Sequence, residues 1–158
     1  MSQILDFYRG QIKHPKGLTL TDILYCSNDA WEHSHDFVQW LFPLPEPSAA
    51  VPDAPVATAE DFQVFRDDFG VRGSLRASVA RYEQFLRECE GWKRPGDHNH
   101  LRITRVIRCM VLAGMPRGAE DFLCEVYHLL GPAVADIPAR SLVFWKEALN
   151  EKPAWLKG

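Results

Sequence analysis

Apolar residues recur every three or four positions along most of the chain, and no stretch alternates strictly between apolar and polar. That period predicts helices and no strands. Ile4, Leu5, Phe7 and Tyr8 predict a short opening helix, stopped by the His-Pro-Lys-Gly run at 14–17. Thr21 is a suitable cap for the segment that follows it. A longer helix is predicted from about Asp29 to Phe42, because Pro43 disfavours a helical residue before it. Five prolines make 43–57 a stiff surface loop. Thr58 to Asp61 has the form of a capping box, with Asp in place of Glu, and Phe62, Phe65 and Phe69 then share a face. Ser74 opens the clearest amphipathic stretch: Leu75, Val79, Tyr82, Leu86 and Cys89 follow at spacings of four and three. After a loop at 91–97, helices are predicted from about Asn99 to Ala113, closed by Gly114, and from about Gly118 to Leu130, closed by Gly131 and Pro132. Pro138 suits the first position of a last helix with Leu142, Trp145 and Leu149 facing inward. The sum is all-α: one compact multi-helix domain over 1–158, with about seven or eight helices.

Two stretches carry more than periodicity. On the predicted 29–42 helix, Trp31, Phe37, Val38, Trp40, Leu41 and Phe42 spread over more than half the circumference, so the helix is expected to be buried on most sides. Trp40 is expected to pack against a neighbouring helix. Glu32, His35, Asp36 and Gln39 share the remaining arc, where a buried charge needs a partner. In "HNHLRITRVIRC", 98–109, Ile103, Val106, Ile107 and Met110 take one side and Arg102 and Arg105 the other. Asn99 is placed to cap this helix, beside His98. Arginine's planar fork suits bidentate pairing with carboxylates. Two readings stay open. Either Arg102 and Arg105 neutralise Glu32 and Asp36 and lock two helices, or the strips line a pocket for an anionic group or a peptide. Glu32, His35, Asp36, Gln39, Trp40, His98, Asn99, Arg102 and Arg105 are thus the candidate ligand-binding residues.

Composition narrows the classes. Of the 158 residues, 18 are Lys or Arg and 21 are Asp or Glu, which argues against a basic nucleic-acid binder. No apolar stretch approaches a membrane span, and the first residues lack the pattern of a signal peptide. Cys26, Cys89, Cys109 and Cys124 show no CxxC pair and no zinc spacing, and read as reduced core thiols of a cytoplasmic protein. Cys109 near Arg105 has one route to a lowered pKa; a buried inert thiol is the competing role. The E-x-x-H spacings Glu32/His35 and Glu125/His128 match di-iron bundle pairs, so an uncharacterised enzyme or metal protein using Glu32, His35 and Asp36 is the alternative to a binding module. No catalytic motif or cofactor fingerprint is present. No cofactor or metal is therefore expected. Trp92, Lys93 and Arg94 are read as surface loop.

The same two stretches carry a resemblance. "HSHDFVQWLFPL", 33–44, and "HNHLRITRVIR", 98–108, preceded by "ILDFYRG" and "GLTLTDIL", resemble in order the signature blocks of the opioid growth factor receptor conserved-region family. The resemblance covers nearly the whole chain. It implies receptor activity, binding of a peptide such as methionine-enkephalin, and perinuclear, nuclear or membrane-associated localisation as in vertebrate members. It implies no catalytic residues. Two departures stand out: no repeat-bearing tail follows the conserved region, and "RYEQFLREC" replaces a segment that often contains F-Y-G.

Overall fold

The computed structural model describes residues 2–152 and Trp155. Among them are nine α-helices, two short 3-10 segments and no strand, so the all-α expectation is met. The chain gathers into two compact units, the first ending at Arg81 and the second beginning at Tyr82. No helix among the described residues is long and apolar enough to cross a membrane.

The first unit contains α1 (Gln3–Tyr8), α2 (Leu20–Leu24), α3 (Asn28–His33), α4 (His35–Leu41), α5 (Ala59–Asp67) and the start of α6 (Phe69–Glu88). Its short helices hold because each has a local stop and an apolar face. Thr19 and Asp22 form a reciprocal capping box on α2, two residues earlier than the Thr21 cap the sequence suggests. Thr58 and Asp61 form the box expected on α5. Asp68 is extended and ends α5, and its carboxylate accepts from Val71 N at 3.0 Å. Thus α6 begins at Phe69, not at Ser74, and Phe69 is 87% exposed instead of sharing a face with the buried Phe62 and Phe65.

The predicted 29–42 helix is two helices. Ser34 ends α3 and begins α4 with φ −99° and ψ 90°. The reason lies in the wide apolar arc. On one straight helix Trp31 and Phe37 would point about 120° apart; after the break their rings meet edge to face at 6.1 Å. Trp40 then lies edge-on to Phe7 of α1 at 5.2 Å and is 3% exposed. Tyr8 stacks edge-on against Phe65 at 4.8 Å and donates its hydroxyl to Leu41 O. Segment 43–57 is irregular as expected but not wholly superficial. Ala57 N donates to Leu44 O at 2.9 Å, closing the loop at its base, and Pro43, Leu44, Ala54 and Ala57 are buried.

Arg81 pins the α2–α3 corner. Its guanidinium donates to Leu24 O at 3.0 Å, Cys26 O at 2.8 Å and Asn28 Oδ1 at 2.9 Å, and lies 5.1 Å from the centre of the Trp31 ring. The end of α2 has carbonyls that no later turn can use, and one planar fork satisfies two of them nearby.

The second unit contains the end of α6, α7 (Asn99–Leu112), α8 (Pro116–Leu130) and α9 (Ala139–Ala148). A 3-10 turn at Gly91–Lys93 interrupts the 91–97 loop. Helix α7 packs against both α8 and α9, burying Ile103, Val106, Ile107 and Met110 as the pattern predicts. Gly114, with φ 77°, ends it in the left-handed region that glycine enters without strain. Pro138 is the residue before α9 and not its first, and its Trp145 is fully buried, whereas Leu142 and Leu149 are only half-buried.

Candidate functional site

The carboxylate strip lies in the first unit and the arginine strip in the second. On α3 and α4, His35 is exposed, and Glu32, Asp36 and Gln39 are half-buried. Trp40, which borders the strip one turn after Asp36, is core. The strip is therefore a polar ridge over a helix whose other side is fully committed to packing.

Asp36 has two nitrogen-bearing side chains beside it in its own unit. His14 Nε2 stands 3.0 Å from Asp36 Oδ2, at ion-pair distance but without the alignment of a hydrogen bond, and Lys16 Nζ is 3.4 Å from Oδ1. The His14 side chain is fully buried, edge-on to Phe37 at 5.9 Å and to Trp40 at 5.5 Å. Its Nδ1 accepts from Lys16 N at 3.2 Å, which requires that nitrogen to be unprotonated. Burial lowers the His14 pKa; the Asp36 charge opposes that shift and the Lys16 charge adds to it. Sequence reading passes over His14, because a histidine followed by Pro-Lys-Gly reads as a turn. The signal was its neighbourhood: a turn that must close over an aromatic helix needs something apolar or neutral to cover it.

A pH dependence follows. With a folded-state pKa below the unfolded value of about 6.5, neutral His14 contributes stability that is complete above that pH and is lost as pH falls toward the folded pKa. Urea midpoints at pH 7.5, 6.5 and 5.5 should fall more steeply for the native chain than for His14→Gln, the difference approaching about one proton. Equal slopes would show that His14 titrates alike in both states.

In the second unit, Asn99 is not the cap of α7. His98 occupies that position without a side-chain cap bond, and the acceptor is Asp97, whose Oδ1 takes Asn99 N at 2.8 Å and Asn99 Nδ2 at 2.9 Å. Asn99 is fully buried. Its Oδ1 accepts from the Tyr82 hydroxyl at 2.9 Å and from Arg102 at 3.3 Å. Arg102 is 5% exposed, while His98 and Arg105 are half-buried. His100, absent from the candidates, is a further node: its Nε2 donates to Trp92 O at 2.7 Å, and its own carbonyl accepts from Trp145 Nε1 at 2.9 Å. Trp92 itself is 1% exposed, so the surface-loop reading fails for this residue, though it fits the exposed Arg94.

The cysteines divide. All four are free, but only Cys109 is core; Cys26 and Cys89 are half-buried and Cys124 is exposed. Burial pushes the Cys109 thiol up to about 12 against the opposing pull of Arg105, which makes it inert near neutral pH. Among the described residues, His35, Glu125 and His128 belong to no group of three His, Cys, Asp or Glu side chains close enough to share an ion.

A family model described as the opioid growth factor receptor (OGFr) conserved region matches residues 1–88, more than half of the chain. The chain belongs to that family. The matched stretch of this opioid growth factor receptor-family member takes in the whole first unit, including the α3–α4 ridge, and the "QWLFPL" block; the "LRITR" block lies beyond it. The opioid growth factor receptor of Homo sapiens is 29% identical over 136 residues, covering 70% of this chain and 20% of that protein. The Mus musculus receptor is 28% identical over 134 residues, covering 70% and 21%. The chain thus spans about a fifth of the length of the curated relatives it matches. No solved structure matches it.

Proposed function

We propose that this chain is a cytoplasmic, receptor-like binding module that takes a peptide on the α3–α4 ridge and performs no catalysis. The observation that carries the reading is the split character of α4: Phe37, Val38, Trp40 and Leu41 are buried, while His35 is exposed and Asp36 and Gln39 are half-exposed. A ridge seated on a packed aromatic core is preorganised, so little side-chain or backbone freedom is lost when a ligand binds. The carboxylate of Glu32 suits a ligand amine, Asp36 being already held between His14 and Lys16, and His35 offers a hydrogen-bonding ring at the rim. The relatives are named opioid growth factor receptors, which makes an opioid peptide the ligand of first choice here.

Calorimetric titration of the purified chain with methionine-enkephalin tests this. Saturable binding is expected, weakened at least about tenfold in a Glu32→Gln/His35→Ala variant that melts like the native chain. Absence of saturable heat, or equal binding by the variant, contradicts the proposal. Stoichiometric iron, manganese or zinc in the purified protein would favour the metal-dependent alternative instead.

A further inference from the structure

Beyond the ridge, the first unit carries a groove that neither its packing nor the proposed peptide site uses. Helix α1 and the start of α5 diverge with Pro55 and Val56 between them, leaving a cavity of about 470 Å³. Its apolar lining includes Ile4, Leu5, Val56 and Val64. Val64 also lines a second depression of about 340 Å³ between α1 and the end of α5, so the two read as one groove along the α5 side. Both volumes lie in the range of sites that hold ligand groups.

The groove is charged in one sense. Glu60 and Asp61 line its first part, and Asp67 and Asp68 its second, against the single guanidinium of Arg9. Two of the four carboxylates are committed to the fold. Asp61 accepts from Thr58 N at 2.9 Å in the capping box, and Asp68 pairs with Arg9 at 3.2 Å and holds Val71 N. Asp67 accepts one bond, from Gln63 Nε2 at 2.8 Å. Glu60 is exposed and makes no ion pair among the described residues. Glu60 and Asp67 are seven residues apart on α5, about 10 Å along its axis. Between them the apolar lining includes Val64.

We infer that this groove docks an extended segment of a partner protein in which two basic residues, three positions apart, flank a pair of apolar side chains. In the polyproline II form of an extended chain, residues three apart lie on one edge about 9 Å apart, close to the Glu60–Asp67 spacing, so both basic side chains face the carboxylates and one of the two apolar side chains between them faces the apolar lining. An acidic segment would meet four carboxylates and one cation, and is excluded by charge.

The probes are two acetylated, amidated hexapeptides, GKLVKG and GELVEG, titrated into the isotopically labelled chain. GKLVKG should shift backbone amides at 3–9 and 58–68, and GELVEG should bind at least about tenfold more weakly. A Glu60→Lys/Asp67→Lys variant, changed only at exposed positions, should keep the native melting curve and lose about tenfold in GKLVKG affinity. The ridge variant Glu32→Gln/His35→Ala should bind GKLVKG as the native chain does, which separates this groove from the enkephalin site. Equal binding of the two peptides, no binding of GKLVKG, shifts confined to other segments, or unchanged affinity in the charge-reversed variant would each overturn the inference.

Discussion

Trp40→Ala should destabilise the folded state by about 3–5 kcal/mol. The indole is 3% exposed and fills the space between Phe7 of α1 and His14 of the preceding turn, edge-on to both. Its removal takes away a large transfer term and opens a cavity whose walls cannot close. Phe7 is fixed by its own helix and by Tyr8, and His14 by Lys16 N and Asp36. Trp40→Phe should recover more than half of the loss, since an aromatic edge still meets Phe7. Denaturant unfolding followed by circular dichroism reads both. A loss below about 1 kcal/mol for the alanine variant would mean that Trp40 does not seat α4 on α1.

Asn99→Ala should cost the second unit about 2–4 kcal/mol. The change is small in volume but removes a buried side-chain amide that hydrogen-bonds Tyr82, Arg102 and Asp97. The Tyr82 hydroxyl loses its near acceptor, Arg102 loses one acceptor, and Asp97 loses one donor. None of these groups regains water easily, because Tyr82 is fully buried and Arg102 nearly so. Tyr82→Phe in the native background should cost less, about 1 kcal/mol, and the double variant should cost less than the sum, since both remove one shared bond. Additive losses would show that the Tyr82–Asn99 bond contributes nothing beyond packing.

The helical class, the first helix and the buried face of α7 are legible in the sequence because each rests on a period that only one geometry satisfies; the last helix is legible as an element, though only Trp145 of its three expected inward residues is core. Boundaries are less legible where two requirements compete. Proline alone places the end of α4 correctly, but nothing local announces the break at Ser34. That break exists so that Trp31 and Phe37 reach the same core, a tertiary demand. Phe69 fails in the same way: its spacing from Phe62 and Phe65 is helical, yet Asp68 turns the chain between them. Asn99 shows the limit of capping preferences. Asparagine is a good cap, but here Asp97 supplies the acceptor and leaves Asn99 free to join Tyr82 and Arg102 inside the unit. Within the candidate site, helical spacing groups His35, Asp36 and Gln39, which share α4, but Glu32 lies before the Ser34 break on α3 and is not placed with them by spacing on one helix. His14 is not legible, because its partners come from a loop and a distant helix.

The most direct test of the account is an amide chemical-shift map of the labelled chain during titration with methionine-enkephalin. Shifts that grow with occupancy and cluster at residues 32–39, while the amides of α8 and α9 stay still, are the predicted result. Shifts confined to other segments, or a spectrum that does not respond to the peptide at all, would contradict it.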